Sequence, residues 1–422
     1  MNYLQFLRRS QAAKIAQMFA SGEQGLVYDI DNISTLFQDS AFTVPVTAVE
    51  QPVGGMLDLS GRGNHAFMAT TTKRSIYSRR VNLHAFNTNT FADAILLKTG
   101  NGLLPVVTPN YAAAPNGSIT AIRLQLNSVD TSGTAYSIVY RDILGGGQIA
   151  AAYRTSIWMR ATTGTATVTL VGAGTVVSLQ SLNTTWREVS LNETGIAGST
   201  FALRIASSAS NATAGPQDIL VWQPSLTLAT DAHLPYQYVN TSVDYDADPA
   251  KFPAYRRADG VDDSLASSTG GGGTAGFFFS AAISPQGRAG TARTLFSDTG
   301  ANTGYRVRLN TSNQLELAAG NGTAYTTIAT ADTLAVGATD VVQAWDDGAN
   351  LNVKIGSGPT ASVAHPAVVA GTAGYTLGQD NGASGGYFNG RIYGEIYRKD
   401  SSPTQTQRET VALYLRQKAR LP

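Results

Sequence analysis

The chain has 422 residues, more than one ordinary core accommodates, and its 30 Lys and Arg against 29 Asp and Glu leave a net charge of +1. That balance, without a long basic run, excludes the electrostatic footprint of a nucleic-acid binder, and the lack of any Cys excludes disulfides and thiolate metal sites. Only 14% of residues are charged and 43 are glycine, with Thr, Ser and Asn abundant, which is the usage of an all-β chain with short strands and tight turns.

Residues 1–24 carry a helical pattern, with Leu4, Leu7, Ile15, Met18 and Phe19 set among Arg8, Arg9 and Lys14 and with Gly22 as a stop. The segment lacks the unbroken apolar core of a secretory signal, and no run in the chain approaches the roughly 20 apolar residues of a membrane span. A soluble protein with no membrane insertion is expected. The helix could dock a partner or sister subunit, cap a domain, or lie on a membrane surface; we take docking as its role.

Residues 25–80 are loop-rich, with short strand-like pieces such as GLVYDI and GMLDL. Within them GRGNHA, Gly61 to Ala66, spells the G-x-G-x-x-A of a dinucleotide-binding turn. The following FMATTTKRSIYSRR has no apolar helical face, and no acidic residue stands about 20 positions on to hold a ribose. No nucleotide cofactor is expected, and the loop reads as a tight turn in which glycines supply positive φ while Asp58 and Asn64 bond nearby backbone.

From 81 to 240, segments such as ITAIRLQL, YRTSIWMRA, TATVTLVG, WREVSL, TFALRIASS and DILVWQPSL alternate or run apolar for four to eight residues between turn residues, the spacing of a β-sandwich. A connector, TSVDYDADPAKFPAY, leads into a second β-rich block within 241–422, from RRADGVDDSL through FFFSAAI and DVVQAWDD to YFNGRIYGEIYRK. The chain ends SPTQTQRETVALYLRQKARLP, where a Ser or Thr cap, a proline in the first turn and a stripe of Val411, Tyr414 and Leu415 predict a terminal helix.

On these residues the second block resembles a concanavalin-A-like (laminin-G-like) lectin sandwich, through ADGVDDSL, the glycine-rich strands from Gly371 to Arg398 and the closing helix. The middle block resembles jelly-roll carbohydrate-binding modules, with YRTSIWMRA as a central strand, TTWREVSL as one opened by a Thr-Trp pair, and ILVWQPSLTLATDAHLPYQY as the closing strand and tail. GLVYDIDNISTLFQDS and DLSGRGNHA resemble text that stands directly before the ADGVDDSL strand in lectin-like proteins of tailed phages, yet here lie some 190 residues earlier. The economical reading is a jelly roll, 81–240, inserted into a lectin-like domain made of 25–80 and 241–422, since insertion at an exposed loop costs little. The expected fold is therefore all-β, two sandwiches with an N-terminal and a C-terminal helix. The resemblance implies a virion protein (tail fibre, baseplate or head spike) on the particle surface. It would meet other virion proteins through its N-terminal helix, form a homo-oligomer, and display a surface for a host-cell glycan. The alternatives are a purely structural decoration or adaptor protein and a glycan depolymerase.

Sugar recognition by a sandwich needs an aromatic ring against the C–H face of a pyranose and polar groups for its hydroxyls. Trp158, Trp186, Trp222 and Trp345 all lie in strand-like runs, so core positions are expected for them, and the ligand residues are sought on loops: Asp298, Asn302, Asp380, Asn381 and Tyr387. Two acidic runs, Asp244, Asp246, Asp248 and Asp259, Asp262, Asp263, offer hard oxygens, but match no EF-hand spacing, so no metal site is assigned. Catalysis finds no support. Gly382 to Gly386 spells G-x-S-x-G but leads into a strand where a nucleophile elbow needs a helix. The four histidines stand far apart, and no close acid pair of the glycanase kind is visible. The protein is expected not to be an enzyme.

Overall fold

The computed structural model describes residues 13–422 except 86–87, 130–134, 144–146, 175–176, 209–214, 271–273, 275, 288–289, 299, 301, 372–373 and 381–385. The chain is nearly all β and divides into two compact units, one formed by Met1–Arg79 with Phe252–Pro422 and one by Arg80–Lys251.

The first unit is a sandwich of two nine-stranded antiparallel sheets among the described residues. Strands from both ends of the sequence share these sheets: Gly25–Asp29 pairs with Asn389–Lys399, Ser75–Ser78 with Tyr255–Asp259, and Ala66–Phe67 with Leu265–Gly270. The strand Phe277–Pro285 is buried at every position because both its faces are covered. Phe277 and Phe279 enter the inter-sheet core, where Phe277 stacks on Tyr305 at 4.5 Å, while Phe278 faces a second cluster beneath the C-terminal helix. Such two-sided burial is why this segment reads as a continuous apolar run without alternation.

That helix, Gln405–Lys418, begins with a capping box: Thr404 Oγ1 accepts from Gln407 N (3.3 Å) and Gln407 Oε1 accepts from Thr404 N (2.9 Å). Pro403 precedes the cap and so lies outside the first turn, where the sequence placed a proline. Val411, Tyr414 and Leu415 are the buried stripe. Ile15, Met18 and Phe19 join the same cluster and are almost wholly buried. This corrects the docking role for that part of the N-terminal helix: its apolar residues cover the outer side of their own unit and are not presented to a partner. Residues 1–12 lie outside the described residues.

The GRGNHA loop is a structural turn. Gly61 and Gly63 have φ of 80° and 72°. Asp58 Oδ1 accepts from Val27 N (2.9 Å) and Ser60 N (2.8 Å), and Oδ2 accepts from Asn64 N (3.1 Å). A carboxylate that takes three backbone N–H groups organises the turn without any ligand.

Among the described residues the second unit is a sandwich of two five-stranded antiparallel sheets. One runs Ser178–Leu182, Ala166–Val171, Phe201–Ser208, Tyr136–Asp142, Ile95–Thr99; the other runs Arg187–Thr194, Ala152–Ala161, Pro216–Leu228, Ile119–Asn127, Leu103–Ala113. Ile122, Leu124, Ile157, Met159, Val168, Leu170 and Ile219 interdigitate between them. The two ends of this unit are tied side by side: Gln237 Oε1 accepts from Val81 N (2.8 Å) and Asn82 N (3.0 Å), and Asn82 Nδ2 donates to Gln237 O (2.9 Å). The stretch after 240 stays with this unit, through a bridge between Val239 and Tyr245 and the Arg80 guanidinium lying 5.5 Å over the Tyr245 ring.

Candidate functional site

The strand AYRTSIWMRA, Ala152–Ala161, places Tyr153, Thr155, Ile157, Met159 and Ala161 inside the second unit and turns Arg154, Ser156, Trp158 and Arg160 outward. Trp158 thus shares its face with polar and charged residues. Contrary to the core position expected from sequence, it is half-buried on the outer surface, as are Trp186 and Trp222, and only Trp345 is a core residue.

The neighbouring strand, Pro216–Leu228, widens this outer face by a bulge. Ser156 pairs with Ser225 and Trp158 with Trp222, so Gln223 and Pro224 together oppose Ile157. Gln223 takes a φ of 51°, and Pro224, which has no N–H to give, costs the ladder nothing at that point. The bulge breaks the period of two, and both Trp222 and Gln223 come to the outer side. The Trp222 indole is held there by Nε1 donating to Thr120 Oγ1 at 3.1 Å.

Between these strands and the segment that follows the Ala229–Asp231 turn lies a groove of about 200 Å³. Trp158 lies in it with Ser156, Gln223, Ser225 and Thr227 on the sheet side and Leu234 and Tyr236 on the opposite wall. Arg154 reaches Glu188 Oε1 and Ala232 O, each at 3.4 Å, long contacts on a side chain one-third exposed. Tyr236 donates to Thr88 Oγ1 at 2.7 Å, and burial raises its pKa far above the usual phenol value, so the ring stays neutral. The volume is below the roughly 300–1,000 Å³ of enclosed small-molecule pockets, which suits a surface cleft for one or two rings of a larger ligand. One indole face amid hydroxyl, amide, carboxylate and guanidinium groups can stack on an apolar ring face while bonding hydroxyls around its rim.

The residues chosen from sequence lie in the other unit. Asp298 is fully buried and accepts from Tyr305 N. Asp380 accepts from Ser297 Oγ (3.1 Å) and pairs with Arg306 (2.9 Å), which places it one residue along the same strand end from Asp298. Asn302, at φ 56°, donates from Nδ2 to Thr323 O (2.7 Å), and Tyr387 accepts from Gln379 Nε2 (3.0 Å). Asn381 lies outside the described residues, as does most of the G-x-S-x-G stretch. Asp298 Oδ1 and both Asp380 oxygens thus meet neighbouring protein groups. Of the two acidic runs, Asp259, Asp262 and Asp263 bring ligand oxygens within 4.8 Å of one another, while Asp246 and Asp248 are paired with Lys251.

The groove was readable in one respect: Trp158 has the parity of Arg154 and Arg160, which marks an outward face. The bulge was not, since a phase change in the alternation has no local sequence signature here beyond Pro224.

The chain matches no protein-family model and no curated protein. Among solved structures it is similar to the CBM40 module of the Ruminococcus gnavus IT-sialidase bound to α2,3-sialyllactose, with 12% identity over 33% of this chain and 83% of that one and a TM-score of 0.29. It is similar also to the carbohydrate-binding module CBM66 from Bacillus subtilis, with 15% identity over 35% and 83% and a TM-score of 0.23. Domains LG4–5 of the mouse laminin α1 chain are similar at 9% identity over 65% and 93%, with a TM-score of 0.29. All three likenesses are loose.

Proposed function

We propose that the protein binds a glycan in the groove around Trp158 and does so without cleaving it. The observation that carries this reading is an indole turned outward in a groove whose rim is built of hydrogen-bonding side chains. Glu188 in that groove already faces Arg154, which favours a role in holding hydroxyls over one in proton transfer. A glycan array probed with the full chain, followed by a reducing-sugar release assay on each bound glycan, tests it. Binding without release is expected; no binding to any glycan leaves a purely structural protein, and release makes it a depolymerase.

The finer reading is a component of a tailed-phage particle, on the virion surface, that attaches to a host-cell glycan. It rests on the likeness of GLVYDIDNISTLFQDS, DLSGRGNHA and ADGVDDSL to such proteins. Several copies would act together. A second copy fits the side of the second unit where both sheets end, at Ile95–Thr99 and Leu103–Ala113. Leu97, Leu103, Leu104 and Val106 are each 45–55% exposed there, and antiparallel pairing of like edges about a two-fold axis would cover them. Electron microscopy of particles labelled with an antibody to the chain tests the location: label at a tail, baseplate or head spike supports it, and unlabelled particles refute it.

A further inference from the structure

The strand REVSLNET, Arg187–Thr194, turns Val189 and Leu191 toward the interior, and the next residue of that parity is Glu193. Both carboxylate oxygens of Glu193 are out of contact with solvent, and among the described residues no group donates a hydrogen bond to either. Beside them lies a second orphan: Thr155 is 1% exposed and its Oγ1 also has no partner among the described residues. A Cβ on Gly172 would stand 2.3 Å from Glu193 Oε2 and 2.3 Å from Thr155 Oγ1, and one on Gly174 would stand 3.0 Å from Glu193 Oε1. Neither glycine has a positive φ, so at both positions it is the missing side chain that lets the carboxylate and the hydroxyl stand against the backbone. Among the described residues no Lys, Arg or His pairs with Glu193. A carboxylate withdrawn from water with neither donors nor a counter-charge is unfavourable, so the position calls for a ligand that supplies one.

We propose that Glu193 and Thr155 hold a hard divalent cation of the calcium class. The donors are all oxygen, Glu193 can bind through both of its oxygens, and the Thr155 hydroxyl is a neutral ligand facing the same space. The cation would tie together the Ala152–Ala161 and Arg187–Thr194 strands of one sheet and the Gly172–Gly174 turn that leaves the Ala166–Val171 strand of the other. Two of these strands carry Arg154, Trp158 and Glu188 on their opposite face, so the ion would stiffen the floor of the groove while contributing no ligand to it. With a single carboxylate the affinity belongs in the weak range of calcium modules, about 10⁻⁴–10⁻³ M.

The test is scanning calorimetry of the full chain in EDTA and in about 10 mM CaCl2, for wild type, Glu193→Gln and Thr155→Val, the concentration being some ten-fold or more above the expected Kd. The wild type gains several degrees with calcium, Glu193→Gln gains none, and Thr155→Val shows a several-fold weaker calcium dependence. An equal gain in wild type and Glu193→Gln places the ion elsewhere, for instance at Asp259, Asp262 and Asp263, and overturns the proposal. So does a wild type whose unfolding midpoint is the same in EDTA and in calcium. If Glu193→Gln fails to fold, anomalous scattering from wild-type crystals soaked in MnCl2 decides: a peak beside Glu193 and Thr155 supports the site, and its absence refutes it.

Discussion

Replacing Trp158 by Ala removes the one indole face presented to the groove while leaving the strand beneath it unchanged, because the inward residues Ile157 and Met159 keep their places. A buried aromatic covers ~150–250 Å², and a half-buried indole offers a third to a half of that to a ligand, on the order of 80 Å². At about 25 cal/mol per Å² the contact contributes roughly 2 kcal/mol, which corresponds to a ~30-fold rise in Kd on truncation. Starting from a shallow site of about millimolar to micromolar affinity, the variant becomes undetectable on an array and barely measurable by calorimetric titration at high protein concentration. Thermal unfolding serves as the control, since a surface indole in contact with a few neighbours shifts the midpoint by only a few degrees. A Trp158→Ala protein that binds its glycan within about twofold of wild type refutes the stacking argument, whatever the groove's polar residues do.

Phe19→Ala leaves a cavity between the N-terminal segment and the C-terminal helix and lowers the stability of the first unit by about 3–5 kcal/mol, read by denaturant unfolding; an unchanged midpoint would return the segment to a pure docking role. His84 is fully buried, and desolvation first, then the Arg141 and Arg80 charges, hold its pKa well below the usual imidazole value. Its folded pKa is depressed, so the stability it contributes is present above the unfolded pKa of about 6.5 and is lost as the pH falls, at ~1.4 kcal/mol per pH unit until the folded pKa is reached. His84→Leu therefore flattens the acid limb of the second unit's stability, and parallel pH profiles for the two proteins would contradict this. Leu104→Asp on the exposed sheet edge converts an oligomer to a smaller species in light scattering without unfolding it, while identical masses would remove that edge as the contact between copies.

The fold class was legible because it rests on local periodicity. Tyr153, Ile157, Met159 and Ala161 in YRTSIWMRA, and Ile122, Leu124 and Leu126 in ITAIRLQL, each keep one parity, and the strands that result bury them. The C-terminal helix was legible through its Ser or Thr cap and the Val411, Tyr414, Leu415 stripe, while the Gln407 half of the capping box was not read. The recognition groove was less so. The tendency of Trp to be buried outweighed its phase at Trp158, although Arg154 and Arg160 share that phase, and the Gln223–Pro224 bulge shifts the alternation where no pattern announces it. The loop residues Asp298 and Asp380 had the composition of a ligand site, but polar loop residues also bond their own fold, as Asp298 does with Tyr305 N and Asp380 with Ser297 and Arg306. Glu193 shows the converse. Its inward parity after Val189 and Leu191 stands in the sequence, while its orphaned carboxylate emerges only once Gly172 and Gly174 close over it.

The most direct test is a crystal structure of the full chain with a glycan selected on the array. A sugar ring stacked on the Trp158 indole, with hydroxyls bonded to Arg154, Glu188 or Gln223, is expected. A sugar bound instead beside Asn302, Asp380 and Tyr387 in the other unit, or no ordered sugar at concentrations well above the measured Kd, would contradict that expectation.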